Sequence, residues 1–238
     1  MISIDTRAKE LSANALRVKM RIAEACAHCR RDPRSVKLVW VSKMHPISDV
    51  EAAIQAGATE FGENKVQEAQ RKFNTPRPGV TLHVIGPVQS NKWTKAAKIA
   101  DWIHSVDSLD ALKKYQAASY DSKKTLDVLF QVNTSQEATK SGLEMKDVEA
   151  FLLSLPPFLN IRYRGLMTIG VNSGNPEDSR KGFAWLRQMR DRMQFRGGIF
   201  SQFTELSIGM TDDLEIAIAE GSTLIRVGTA IFGARDYT

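Results

Sequence analysis

Apolar and polar positions change period repeatedly along this chain, and the changes set out a series of elements. A helical pattern opens it over roughly residues 6 to 30. The run V-K-L-V-W-V-S from Val36 to Ser42 follows, rich in strand formers and too short for an ordinary helix. Residues 47 to 56 return to helical spacing, with Val50, Ala53 and Ile54 on one side and Gly57 as the stop. Further strands are predicted at Thr59–Gly62, Thr81–Ile85, Trp102–Val106, Leu126–Val132, Ile161–Ile169, Glu205–Ile208 and Leu224–Val227. Helices are predicted between them near 64–73, 90–99, 108–118, 145–154, 177–195 and 212–220.

Eight strands, each followed by a helix before the next, predict a single-domain (β/α)8 TIM-type barrel with an additional N-terminal helix. An open doubly wound sheet is the alternative, but it would need only five or six of these strands. The turn-forming stretches at 74–79, 156–157 and 172–176 are too short to mark a boundary, so residues 1–238 are read as one domain. The length of 238 residues and the 42% apolar content both suit such a barrel.

Composition changes this picture only at the margins. No apolar stretch reaches the ~18 residues of a membrane span, and the first residues lack the apolar run of a secretion signal. Cys26 and Cys29, in A-C-A-H-C, have C-x-x-C spacing. With His28 they still fall short of a four-ligand zinc site, so an intracellular chain with unpaired thiols is expected. Much of the excess behind the net charge of +6 sits in the first 37 residues, from Arg7 to Lys37. A solvated basic face is expected there rather than a nucleic-acid site, because no recognition motif accompanies it.

The strand reading places the candidate chemistry. Val39, Val41 and Lys43 share one face of the first strand by its two-residue period, which sets Lys43 at the strand's C-terminal end, where barrels of this kind build their sites. A confined site with cationic neighbours favours the neutral amine, the form that attacks an aldehyde. S-I-G-M-T at 207–211 and V-G-T-A-I-F-G at 227–233 follow the last two strands. Their glycines let a phosphate approach the backbone, and their hydroxyls donate to it. Two ordinary glycine turns are the plainer reading, but the loops after strands seven and eight are where such barrels hold phosphate. Arg226 shares the face of Leu224. If that face is interior, its guanidinium needs a strong acceptor such as a pyridine nitrogen, to which it donates without protonating it; if it is exterior, an acid on a helix would pair with it. Weaker candidates are Asn64, His83 and Met167, along with Gln89 to Lys92 and Asn133, Lys140, Ser141 and Gly142. Glu63 is expected to pair with Lys65 or to begin a helix, and Trp93, Trp102 and Trp185 to pack.

Several segments in order carry a family resemblance: V-W-V-S-K-M-H-P at 39–46, F-G-E-N-K-V-Q-E at 61–68, H-V-I-G-P-V-Q-S-N-K at 83–92, I-H-S-V-D-S at 103–108, D-V-L-F-Q-V-N-T-S at 127–135, K-S-G at 140–142, R-G-L-M-T-I at 164–169 and the long run from Leu206 to Gly233. The chain resembles the pyridoxal phosphate homeostasis proteins, also called the proline synthetase co-transcribed family. The resemblance implies a barrel like the N-terminal domain of alanine racemases, with pyridoxal 5'-phosphate attached to Lys43 as an internal aldimine. It implies phosphate contacts around Ser207, Gly209, Thr211, Gly228 and Thr229, with Arg226 near the ring nitrogen. A cytoplasmic, monomeric protein that buffers or delivers the cofactor is implied, with free amino acids and apoenzymes as further partners and no established turnover.

Alanine racemases add a second β domain bearing a tyrosine base, and the sequence given stops five residues after Gly233. Exchange with external amino acids without fast racemisation is therefore expected. A low-activity amino-acid enzyme is the principal alternative. A phosphosugar enzyme and a basic nucleic-acid-binding barrel are the others.

Overall fold

The computed structural model describes residues 3–75, 77–135, 141–171 and 173–234. Lys140 and Tyr237 lie outside them. The first helix, α1 (Ile4–His28), is started by the Ser3 side chain, which accepts from the Thr6 N–H, and by Asp5 in its first turn. Ala8, Leu11, Ala15, Val18, Ile22 and Cys26 form its buried stripe at three- and four-residue spacing. Then come β1 (Lys37–Val41), α2 (Ile47–Gln55), β2 (Glu60–Glu63), α3 (Val66–Lys72), β3 (Thr81–Val84), α4 (Trp93–Ile99), β4 (Trp102–Val106), α5 (Leu109–Asp121) and β5 (Leu126–Asn133). The remaining elements are β6 (Leu143–Glu144), α6 (Val148–Leu153), β7 (Ile161–Met167), α7 (Arg180–Arg196), β8 (Glu205–Ser207), α8 (Leu214–Ala219), β9 (Leu224–Val227) and α9 (Thr229–Phe232).

The sheet runs β4-β3-β2-β1-β9-β8-β7-β5, all parallel, and the pairing of β4 with β5 closes it into an eight-stranded barrel. The two-residue β6 hangs on the end of β5, outside the barrel. It and the single turn α9 are the elements that periodicity does not predict, being too short to show a period.

Two apolar regions hold the barrel together. The larger lies between the sheet and its helices and includes Trp40, Ile225 and Val227. A smaller cluster of Val39, Trp102, Leu129, Met167 and Leu224 fills the inside. Successive strand residues thus alternate between the two, as a barrel requires. Val39 lies opposite Arg226 across β1 and β9, so the inward faces of both strands converge on one end.

Polar side chains of α1 anchor that end. Arg7 donates to Asp49 at 2.9 Å and to the Phe232 carbonyl at 2.8 Å. Asn14 donates to Ile231 O, and Arg21 to Thr211 O and Glu215. Arg31, beyond the helix, donates to Ile218 O and Ser222 O ahead of β9, at the other end of the strands. Arg7, Arg21 and Arg31, part of the charge that makes the segment look like a polyanion surface, are therefore engaged with neighbouring elements. Cys26 is fully buried against this packing, and burial pushes its thiol pKa up. No helix among the described residues is long and apolar enough to cross a membrane.

Candidate functional site

A cavity of about 340 Å³ opens at the C-terminal mouth of the barrel, lined by Val41, Lys43, Asn64, Ile85 to Pro87, Ile169, Met210 to Asp212, Arg226, Gly228 and Thr229. Lys43 is half-buried and follows β1 on the inward side set by Val39 and Val41. Arg226 is 5% exposed. Its Nη1 donates to the Ser207 carbonyl at 2.6 Å and to the Ser207 hydroxyl at 2.7 Å, and its Nη2 donates to the Thr168 carbonyl at 2.9 Å. Three of the five guanidinium donors are thus engaged in fixing the side chain, leaving two for whatever fills the cavity. Burial lowers its pKa to about 10, with Asp213 opposing the shift, so it stays charged at neutral pH.

The two glycine-bearing loops meet at this mouth. Asp213 accepts from the Met210 N–H at 2.6 Å and folds the first loop back on itself, while Arg21 holds the Thr211 carbonyl at 2.9 Å. Gly209 has φ +92°, and a Cβ there would lie 2.5 Å from Ala217 Cβ and 2.7 Å from Ile225 Cδ1. Its role visible in the structure is to let α8 close on β9. On the opposite wall, a Cβ at Gly86 would collide with the Asn64 carbonyl, so the loops after β2 and β3 touch backbone to backbone. Gly228 and Thr229 begin α9, where the first N–H groups have no acceptor within the helix.

Of the residues singled out in the sequence, Lys43, Asn64, Thr211, Arg226, Gly228 and Thr229 line the cavity together. His83, Met167, Ser207 and Gly209 are buried and do not line it. Met167 packs in the interior cluster. The Ser207 hydroxyl is taken up by Arg226 and by His104 Nδ1, 3.0 Å away. His104 Nε2 meets His83 Nδ1 at 2.9 Å, and His83 Nε2 meets Glu60 at 2.8 Å. His83 is also stacked on Trp102, with ring centroids 5.6 Å apart. Asn133 and Ser141 line a smaller adjoining hollow with Gln131 and Thr168, and Gln89 and Lys92 line a groove beside α3.

Sequence reasoning passed over His104, Glu60 and the apolar wall of Ile85, Pro87, Ile169 and Met210. A signal for His104 was present, since Trp102 and His104 share a strand face next to His83. Glu63 neither pairs with Lys65 nor begins α3, which starts at Val66. Its carboxylate accepts from the Ser42 hydroxyl at 2.7 Å and from Lys72 Nζ at 2.9 Å, because it points outward toward α3.

The arrangement offers a primary amine, a buried cation with spare donors, and hydroxyl and glycine positions at two loop ends, all facing one small cavity. Such a set suits a small, planar, anionic ligand with an electrophilic carbon.

Comparisons with known proteins follow the same line. The family described as "Alanine racemase, N-terminal domain" matches residues 13–236. The pyridoxal phosphate homeostasis protein of Escherichia coli (strain K12) is 37% identical over 234 residues, covering 96% of this chain and 98% of its own. PipY of Synechococcus elongatus, solved with PLP bound, superimposes with a TM-score of 0.78 at 37% identity, covering 89% of this chain and 100% of its own. An alanine racemase from Corynebacterium glutamicum reaches a TM-score of 0.69 at 12% identity over 95% of this chain and 62% of its own, a likeness of fold alone.

Proposed function

The chain belongs to the pyridoxal phosphate homeostasis proteins, and on that premise we propose that it binds pyridoxal 5'-phosphate at the barrel mouth and buffers or hands on the cofactor. The observation that carries this reading is that Lys43, Arg226, Thr211, Gly228 and Thr229 open onto one cavity of about 340 Å³, within the range of small-ligand sites.

When bound, the cofactor supplies an electrophilic aldehyde and an electron-accepting pyridine ring. The Lys43 amine is the nucleophile for that aldehyde. Thr211, Gly228 and Thr229 hold the phosphate through hydroxyl and backbone N–H donors. Arg226 would offer one of its remaining donors to the ring nitrogen and, staying charged itself, would not protonate it. Asn64 stands on the β2 side to orient a ring substituent. Gly209 and Ser207 act from beneath, one by letting α8 close on β9 and the other by holding Arg226. His83 and Met167 fill the barrel interior under them. Residues 1–238 act as one domain, monomeric and cytoplasmic in this reading, with apoenzymes and free amino acids as partners.

A carrier fits better than a racemase. Racemisation needs a proton exchanged on both faces of the substrate carbanion. Arg226 beside the ring nitrogen also weakens the electron sink that such carbanions need. Among the described lining residues there is no tyrosine to serve opposite Lys43. The test is to load the protein, remove free cofactor, and mix it with the apo form of a pyridoxal phosphate enzyme and, separately, with L-alanine. Recovery of the apoenzyme without appreciable D-alanine is expected. Cofactor that never leaves, or D-alanine formed at ordinary enzymatic rates of about 1 to 10³ per second, would favour the alternative of an amino-acid enzyme.

A further inference from the structure

The backbone on either side of Lys43 is tied to a single buried ammonium that the proposed binding chemistry does not use. Lys72, the last residue of α3, is 5% exposed. Its Nζ donates to the Ser42 carbonyl at 2.6 Å, to Glu63 Oε1 at 2.9 Å and to Glu68 Oε1 at 2.7 Å. All three of its protons are thereby assigned. The same Glu68 oxygen accepts the Met44 N–H at 2.5 Å. The residue before Lys43 is therefore held by its carbonyl and the residue after it by its N–H, both through Lys72 and its carboxylate partner.

The segment held in this way is not a relaxed one. Met44 has φ +65°, a left-handed conformation that side chains other than glycine and asparagine seldom adopt. The turn is closed by the His45 N–H on the Ser42 carbonyl at 3.1 Å. Strained backbone of this kind persists where its surroundings over-determine it. The Ser42 hydroxyl adds a further tie through its bond to Glu63, which is itself fully buried. The cluster lies outside the barrel wall, between β1, β2 and α3, and adjoins the cavity through the main chain around Lys43 and through Asn64, which follows Glu63.

We propose that Lys72, acting with Glu68, is a positioning residue for Lys43: the pair clamps the backbone before and after the attachment lysine and so fixes the direction from which its amine enters the cavity. This rests on the reading of Lys43 as the attachment residue. The clamp speeds attachment by pre-orienting the amine, and a displacement of the order of 1 Å at a reacting group is enough to slow a reaction about a hundredfold.

The experiment uses the full-length protein and the variants Glu68→Ala, Glu68→Gln and Lys72→Met. The rate of attachment is read as the mass adduct at Lys43, trapped by borohydride after set times with pyridoxal phosphate. Hydrogen exchange at the Met44 amide is read in the cofactor-free protein. Glu68→Ala should slow attachment about tenfold or more and raise Met44 exchange about tenfold or more at a temperature where the variant is still folded, with some fall in melting temperature from the two donors left unmet. Glu68→Gln keeps an acceptor for both donors and should recover most of each effect, which loss of a merely structural contact would not require. Lys72→Met should match or exceed Glu68→Ala if it folds; if it does not, the Glu68 pair decides. Attachment and Met44 exchange at wild-type rates in Glu68→Ala would overturn the clamp while leaving Lys43 as the attachment residue. Absence of an adduct at Lys43 in the wild-type protein would overturn the functional reading beneath it.

Discussion

Arg226 donates to the Ser207 hydroxyl at 2.7 Å, and that hydroxyl lies below the cavity rather than on its wall. An ionised Glu60 carboxylate can only accept, so His83 Nε2 donates to it. A neutral His104 that donates from Nε2 to His83 Nδ1 accepts the Ser207 proton at its own Nδ1. A directional chain of hydrogen bonds thus crosses the barrel interior from the cavity floor to Glu60, the first residue of β2.

Ser207→Ala removes an acceptor from Arg226 and a donor from His104, both buried. Leaving buried partners unmet costs about 1–3 kcal/mol each, so the melting temperature should fall clearly. The preference for pyridoxal phosphate over pyridoxal should change little, because the hydroxyl does not reach the cavity. Competition titrations that showed this preference collapsing would mean that Ser207 touches the phosphate directly.

Thr229→Ala should behave in the opposite way. Its side chain is exposed at the cavity wall, so stability should hold. Losing one hydrogen bond to a charged phosphate costs about 1.5–3 kcal/mol, which is on the order of ten- to a hundredfold in affinity. Binding of pyridoxal, which lacks the phosphate, should be unaffected. Equal losses for the two ligands would contradict the assignment of this loop to phosphate.

The interior chain makes stability depend on pH. Burial, reinforced by His83 and Arg226, holds the His104 pKa well below its usual value. The folded chain therefore refuses a proton that the unfolded chain takes up below about pH 6.5. Stability is unaffected by this group above that point and falls as the pH drops further, by at most about 1.4 kcal/mol per pH unit. Glu60 works in the same direction: burial pushes its pKa up, but the bond from His83 brings it below normal, so its contribution is lost as pH falls through that lowered value. Glu63, Asp107 and Asp213, raised by burial, work the other way. The measurement is therefore a difference. Melting of wild type and His104→Gln between about pH 7.5 and 5 should show the steeper acid loss in the wild type, and parallel curves would refute the neutral-histidine account.

Gly209→Ala should destabilise the fold. It combines a left-handed backbone with a Cβ set 2.5 Å from Ala217 Cβ. Overpacking of this kind costs about 1–3 kcal/mol, and the strained φ adds to it. A melting temperature equal to wild type would show that the loop after β8 can shift away from α8.

Much of this was readable in the sequence because strand period is a strong signal. Val39 to Lys43 alternate cleanly, which placed Lys43 at the rim on the face of Val39 and Val41. The same period put Arg226 on the face of Leu224, but only the structure decided that this face is interior. The barrel itself followed from strand number and order. Ser207 illustrates where period stops being enough. An inward hydroxyl at the end of a three-residue strand can point up to a ligand or down to a histidine, and His104, on a strand that is not a neighbour of β8, decided it. Gly209 looked like a phosphate contact because glycine in that loop permits close approach, yet the approach seen is that of Ala217 and Ile225. The Lys72 clamp was hidden for a different reason. It joins Ser42 to a residue 30 positions later, and nothing in local spacing marks a lysine at a helix end as buried.

The most direct test of the central claim is the intact mass and peptide map of protein treated with pyridoxal phosphate and reduced with borohydride, for wild type and Lys43→Ala. One cofactor adduct per chain, mapped to Lys43 and absent from a folded Lys43→Ala protein, is the predicted result. An adduct that persists in Lys43→Ala, or no adduct in the wild type, would contradict the account and leave the barrel mouth as a phosphate site of another kind.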